Sequence, residues 1–443
     1  MVKASSSGWS SGLSGGADTI VARATASGPA ALAVVRLSGP GVRRIAAEIS
    51  PTVDFDEPWR ARLVAVDGVG ERAVAIPFCA PRSYTGEDML ELTVHGSPFV
   101  VRALVERCLA AGARPAAPGE FTRRAVANGK LDLVQAEAVR DLVSAETAWQ
   151  ARNAREQLAG RLSERLAALR GELVELHARL EAALDFSDHG LELDRGDAAA
   201  RLERCRELLT ALLATAAAGE RIRDGVRVVI VGPPNSGKST LFNTLLGSER
   251  AIVAPHPGTT RDVLEAELEI CGIRVTLVDT AGLRDAGDPV EEEGVRRARA
   301  AAASAALVVE LIPADAALEP AAEEECAIAT IRVLSKADLP HPDQPGRLAV
   351  SCATGDGVDG LRARLAETVA GSVPDLGGEV AISSRHRRGL ERAAEELAAC
   401  DLAAPELAAE SLRFAARELD ALIGEVATDD LLDEVFASFC IGK

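Results

Sequence analysis

The stretch Gly232–Thr240, GPPNSGKST, has the spacing G-x-x-x-x-G-K-[ST] of a phosphate-binding loop. Glycines at those places let backbone N–H groups of Asn235, Ser236, Gly237 and Thr240 turn toward phosphate oxygens. A helix starting there adds positive potential. Lys238 would reach the β- and γ-phosphates, and the Ser239 hydroxyl would hold Mg²⁺. A chance match in a glycine-rich loop is the bland alternative. The strand-like VRVVIV before it and the helical stretch after it count against that. Downstream comes GTTRD, in which Thr260 is placed to complete the Mg²⁺ shell. DTAG follows the strand-like IRVTLV: Asp279 can hold Mg²⁺ through water, and Thr280, Ala281 and Gly282 bring an N–H to the γ-phosphate. SKAD supplies Ser335, Lys336, Ala337 and Asp338. The Asp338 carboxylate can accept from N1–H and N2–H₂ of guanine; with adenine it would be left unpaired, so GTP is indicated over ATP. Ser351, Cys352 and Ala353 of SCAT can direct N–H groups at the guanine oxygen. Where a water-orienting glutamine often follows DTAG stands Leu283, so hydrolysis needs an acidic residue from RDAGDPVEEEG or a cation at the phosphates.

These residues need a frame. Strand-like runs VRVVIV, IRVTLVDT, AALVVELI, IRVLSKAD and LAVSCA alternate with helical stretches over about 226–369, the rhythm of a mostly parallel sheet covered by helices. EAELEICGIRVTLV reads as a hairpin closed at Cys271-Gly272. Before this insert, 131–224 repeats apolar residues every three or four positions among strong helix formers, and 373–443 repeats the pattern. One helical domain interrupted by 225–372 is the simplest account; two separate small bundles are the alternative. Residues 18–130 mix strands TIVARAT, AALAVVRL, AVAIPF and MLELTVHG with a helix ending at Gly112, an α+β pattern. The Ser/Gly-rich 1–17 read as a disordered lead.

Composition narrows the function. At 443 residues and 47% hydrophobic, with 3% aromatic, the chain has room for about three domains with aliphatic cores. No apolar run is long enough to span a membrane. The eight cysteines form no C-x-x-C pair, which speaks against a zinc ribbon or disulfide framework and for a cytoplasmic setting. A net charge of −18 disfavours a broad nucleic-acid footprint, so RNA contact would need a local patch or a second protein.

Taken together, GPPNSGKST, GTTRD, DTAGLR, SYTGEDMLEL, PGEFTRRA, LDLVQAEAV and the terminal FCIGK resemble the MnmE (TrmE) family of tRNA modification GTPases from Asp18 to Lys443. The resemblance implies an N-terminal α+β domain like folate-binding domains, a discontinuous helical domain and an inserted Ras-like G domain. It implies a homodimer working with a flavin (FAD)-binding partner in a heterotetramer or larger complex. The implied reaction places an aminomethyl or carboxymethylaminomethyl group on C5 of the tRNA wobble uridine. A tetrahydrofolate derivative such as 5-formyltetrahydrofolate would be the one-carbon donor. Potassium would stimulate hydrolysis, with Asn235 as one ligand and the segment Ala254, Pro255, His256, Pro257, Gly258 and Thr259 wrapping the ion; Ala254, His256 and Thr259 complete the expected set. Glu291 matches the water-activating glutamate, which agrees with the missing glutamine. Arg36, Glu91, Lys130 and Lys443 match folate-contacting positions; without the family they read as surface charges. Cys440 matches the family's C-terminal cysteine, implicated in the modification chemistry; without the family it reads as a buried structural cysteine. Three departures stand out, one being the first glycine-rich turn, SGPAALAVVRLSG, which has fewer glycines than usual and so leaves the folate loop a different shape to adopt. Ser335 replaces the usual asparagine, which should weaken nucleotide binding, and Ala254 stands where threonine is common. A GTP switch in ribosome assembly is the competing reading; the TGEDMLEL and FCIGK segments argue against it.

Overall fold

The computed structural model describes residues 18–186, 193–247, 250–251, 264–279, 305–314, 328–340, 347–372, 380–425 and 428–442. Two compact units divide these residues.

The first unit begins with β1 (Ile20–Arg23), β2 (Ala30–Ser38), α1 (Val42–Ile49), β3 (Arg62–Val66), β4 (Glu71–Phe78), β5 (Met89–Gly96), α2 (Pro98–Ala110), β6 (Arg114–Pro115) and α3 (Glu120–Ala127). The sheet order is β3-β4-β5-β2-β1-β6, antiparallel except for β1 with β6. Alternation directs Ala33, Val35 and Leu37 of β2 and Leu90, Leu92 and Val94 of β5 into one apolar cluster with Ile45 of α1 and Leu104 of α2. The period of two thus assigns one sheet face to the helices. Strands β1, β2, β4 and β5 coincide with the expected runs; β3, RLVAV, and the two-residue β6 are not among them.

Helix α4 (Leu133–Val143) leads to α5 (Ala148–Leu158) and α6 (Arg161–Asp185). Helix α6 buries Leu162, Leu166, Leu169, Leu173, Leu176 and Leu180, a single stripe that cannot stay in water.

The second unit contains α7 (Arg195–Ala214), α8 (Ala216–Asp224), β7 (Val226–Val231), α9 (Lys238–Leu246), β8 (Arg250–Ala251), β9 (Leu264–Ile270), β10 (Ile273–Asp279), β11 (Leu307–Pro313), β12 (Ala329–Ser335), β13 (Leu348–Val350), α10 (Val358–Ser372) and α11 (Ser384–Ala399). Its sheet runs β13-β12-β11-β7-β10-β9-β8, parallel from β13 to β10 and closed by two antiparallel strands. The hairpin turn falls at Cys271 (φ 52°) and Gly272 (φ 79°), both left-handed as a two-residue hairpin loop prefers. Trp149 of α5 lies against Gly272, where a Cβ would come within 2.7 Å of its ring.

Back in the first unit lie α12 (Pro405–Ile423) and α13 (Asp429–Ala437). Helix α12 packs along α6 and offers Ala408, Leu412, Ala415 and Leu419 to it, while Arg170 pairs with Asp420 and, at 3.0 Å, with Glu425. In the second unit α11 packs on α7 and α8. Helices before and after the inserted sheet therefore pair with each other, α6 with α12 in the first unit and α7 and α8 with α11 in the second. Among the described residues no helix is long and apolar enough to cross a membrane.

Candidate functional site

The parallel register fixes the first part of the site. Asp279 ends β10 opposite Ile230 of β7, so its carboxylate sits beside the loop that leaves β7. That loop needs unusual backbone. Gly232 has φ 153°, and a Cβ there would meet the Leu311 carbonyl at 2.7 Å and Ser236 Oγ at 2.8 Å. Asn235 (φ 61°) and Gly237 (φ 93°) are left-handed, the latter leading directly into α9. Lys238 Nζ donates to the carbonyls of Gly232 and Pro233, both at 2.9 Å, and so arches back over the loop. Ser239 Oγ donates to Asp279 Oδ2 at 2.6 Å. A hydroxyl and a buried carboxylate side by side form an all-oxygen donor pair, which fits a hard cation such as Mg²⁺.

The other end follows β12 and β13. Lys336 adopts φ 58°, rare for a long side chain. Ala337 N–H donates to the Val350 carbonyl at 3.2 Å. Ser351 Oγ donates to Asp338 Oδ1 at 2.7 Å. That hydrogen bond is the main reason the Asp338 carboxyl titrates below the usual aspartate value. A cleft of about 220 Å³ joins the two ends. Ser236, Gly237 and Thr240 line it from the phosphate loop. Ser335, Lys336, Asp338, Cys352 and Ala353 line it from the ends of β12 and β13. The hydroxyls of Ser236 and Ser335 are buried without a hydrogen-bond partner. Orphaned polar atoms in a cleft wall fit a polar ligand such as a nucleotide.

Of the expected potassium ligands Asn235 is described, with an exposed side chain. Ala254, Pro255, His256, Pro257, Gly258, Thr259, Thr260, Thr280, Ala281, Gly282, Glu291 and Lys443 lie outside the described residues.

In the first unit, Arg36 and Glu91 are cross-strand partners on β2 and β5 and pair at 2.7 Å. The Arg36 guanidinium stands 5.6 Å from the Tyr84 ring and 5.7 Å from that of Phe121. It also donates to the Gly442 carbonyl at 3.3 Å. The C-terminal segment is laid against this sheet: Ile441 bridges Pro118, and a Cβ on Gly442 would collide with the Arg23 carbonyl. Cys440 is exposed, which rules out the buried structural reading. Lys130 Nζ donates to the Pro81 carbonyl at 3.1 Å rather than joining the Arg36 pair directly. A donor–acceptor pair beside two aromatic rings fits a heterocycle with N–H and C=O edges, as a folate has.

Sequence reading missed the ion cluster beneath this region. Arg124 pairs with Asp18 (2.8 Å), Glu120 (3.0 Å) and Glu87 (3.1 Å), and Arg114 reaches Asp18 and Glu120. Burial alone would raise the Asp18 and Glu120 carboxyls; hydrogen bonds from Arg114 and Arg124 outweigh it and hold both below their ordinary values. Tyr84 and Thr122 hydroxyls meet at 2.8 Å, and Asn128 donates to the Thr85 carbonyl at 2.6 Å. The segments SYTGEDMLEL and PGEFTRRA are therefore two sides of one interface, a pairing that their separate patterns do not announce.

A family profile described as the MnmE helical domain matches residues 133–440, and one described as the GTP-binding protein TrmE N-terminus matches 19–130. A tRNA modification GTPase MnmE from Xanthomonas campestris pv. campestris (strain B100) is 43% identical, with 96% of this chain and 99% of that protein covered. The protein of that name from Phenylobacterium zucineum (strain HLK1) is 45% identical, over 96% of this chain and 100% of that one. Among solved structures, Aquifex aeolicus Era bound to GDP·AlF4⁻ is 22% identical over 39% of this chain and 66% of that one, at a TM-score of 0.25. That score is too low to bear on the assignment, which rests on the relatives, the profiles and the geometry: this chain belongs to the MnmE (TrmE) family of tRNA modification GTPases.

Proposed function

We propose that this chain hydrolyses GTP, stimulated by potassium, and acts in the cytoplasm with a flavin-dependent partner to install an aminomethyl or carboxymethylaminomethyl group at C5 of the tRNA wobble uridine. The observation that carries the hydrolase part is the Ser239–Asp279 contact, made from the same loop whose Ser236, Gly237 and Thr240 line a cleft shared with Asp338. Lys238 neutralises phosphate charge, α9 directs its N-terminus at the phosphates, and Asp338, braced by Ser351, reads the guanine edge. Ser239, Asp279 and Thr260 would hold Mg²⁺, which when bound neutralises charge on the β- and γ-oxygens. Asn235 with Ala254, His256 and Thr259 would hold potassium, supplying the charge that an arginine finger supplies elsewhere. Glu291 takes the place of the missing glutamine in orienting water.

Arg36, Glu91, Lys130 and Lys443 would hold a tetrahydrofolate derivative, which would supply the one-carbon unit; Cys440, three residues before Lys443, is exposed and would take part in the modification chemistry. The net charge of −18 favours a division of labour in a homodimer-based complex, where the flavin partner carries much of the tRNA contact. The test is nucleoside analysis of tRNA from cells lacking their own enzyme and expressing this chain. Restored wobble modification with the wild type and none with Lys238→Ala is expected. No modification with the wild type, despite a functional partner, would contradict the pathway assignment.

A further inference from the structure

Strand β10 is held at both ends. At one end its last residue, Asp279, accepts from Ser239 Oγ at 2.6 Å. At the other, the turn that joins it to β9 lies against Trp149 of α5, so closely that a Cβ on Gly272 would stand 2.7 Å from the ring. Glu146 adds an ion pair at 3.4 Å to Arg274, the second residue of the strand. Between the two ends run about 20 Å of strand, paired with β7 on one side and β9 on the other.

The same helix grips the chain where it enters and leaves the inserted sheet. Gln150 Nε2 donates to the Arg223 carbonyl at 3.1 Å, three residues before β7. Asn153 makes two bonds to one residue, accepting from the Ala381 N–H at 2.9 Å and donating to the Ala381 carbonyl at 3.3 Å, three residues before α11. Entry and exit themselves touch, since a Cβ on Gly219 of α8 would come within 2.0 Å of the Ile382 carbonyl. Trp149, Gln150 and Asn153 fall within one face of α5. Residues 144–156 belong to the second unit, while the chain on either side of them belongs to the first.

We infer that α5 reads the state of the cleft: Trp149 follows the hairpin turn, and Gln150 and Asn153 carry its position to the two points where the inserted sheet joins the rest of the chain. This rests on the reading of the cleft as a guanine-nucleotide site. The Ser239 hydroxyl and the Asp279 carboxylate cannot keep their hydrogen bond and both turn to a cation, so loading the cleft moves Asp279 and the strand that ends in it. The turn has no slack against Trp149, so α5 moves with it.

The chain has three tryptophans, and with Trp9→Phe and Trp59→Phe the full chain emits from Trp149 alone. Its emission is read without nucleotide, with Mg²⁺ and GDP, and with Mg²⁺ and a non-hydrolysable GTP analogue, while calorimetry measures binding. Emission should change on loading, with a midpoint at the calorimetric affinity. Hydrogen exchange at the Ala381 N–H should differ about fivefold between the empty and loaded protein, the worth of one hydrogen bond. Trp149→Phe should keep that difference, and Trp149→Ala should lose it while still binding nucleotide. Emission indifferent to bound nucleotide, or an Ala381 response that survives Trp149→Ala, would make α5 a static brace and overturn the inference. A chain that binds no guanine nucleotide would instead remove the reading of the cleft, and the inference with it.

Discussion

The ion cluster around Arg124 and the cleft around Ser335 are both buried and polar, yet they are finished to different degrees. Arg124 meets Asp18, Glu87 and Glu120, and Arg114 closes the ring, so each charge has a partner within the protein. In the cleft, Ser236 and Ser335 keep unpartnered hydroxyls around about 220 Å³ of space. A buried polar group left unmatched is costly, and where several face one cavity the matching partner comes from outside. The first cluster therefore holds a fold, and the second has the polar lining of a ligand site. The cleft has one finished part as well: Asp338 accepts a hydrogen bond from Ser351, which holds its carboxylate in one orientation.

The largest expected effect tests the fixed part of the cleft. Asp338→Asn replaces an acceptor by a donor, and competition binding should show preference moving from GTP toward XTP by about 10³-fold. Retained GTP preference would take Asp338 out of base recognition.

Next comes the cluster that holds the fold. Arg124→Ala leaves Glu87 and Glu120 short of a buried partner and should cost about 3 kcal/mol in denaturant unfolding, with GTP affinity unchanged. Because Asp18 and Glu120 titrate below 3.8 and 4.5, their contribution is fully present above those ordinary values and is lost as pH falls through the lowered ones. Acid unfolding of the Arg124→Ala protein should accordingly begin at higher pH than that of the wild type. Identical stability and acid transitions would show that the cluster is ornamental.

The smallest effect is at the brace. Ser351→Ala should weaken GTP binding about fivefold at neutral pH. It should also let Asp338 titrate nearer the ordinary aspartate value, so that binding fails at a less acidic pH than in the wild type. Calorimetric titration across pH reads both; an unchanged affinity would mean that the carboxylate is aimed by backbone alone.

Much of the cleft was legible because its chemistry is contiguous. GPPNSGKST states a loop, a cation and a hydroxyl in nine residues, and parallel pairing of β7 with β10 then brings Asp279 to it. The Cys271-Gly272 turn was legible for the same reason: two residues suited to positive φ sit between two alternating runs. The Arg124 cluster was not, since Asp18, Glu87, Arg114, Glu120 and Arg124 become neighbours only through the crossing of β1, β6 and α3. Nor could spacing show that α6 takes α12 as its partner; an apolar stripe announces that a face is buried, not against what. Trp149 illustrates the same gap. Its helix reads as part of a helical block, while its ring packs against the hairpin turn of the inserted sheet.

The central claim, a GTP hydrolase whose cation and glutamate replace the missing glutamine, is tested most directly by GTP turnover of the purified chain in potassium against sodium at equal ionic strength, with Glu291→Ala beside the wild type. Turnover that is faster in potassium and falls by about 10²-fold or more in Glu291→Ala, with GTP binding near normal, is the predicted result. Turnover indifferent to both the cation and the substitution would contradict it.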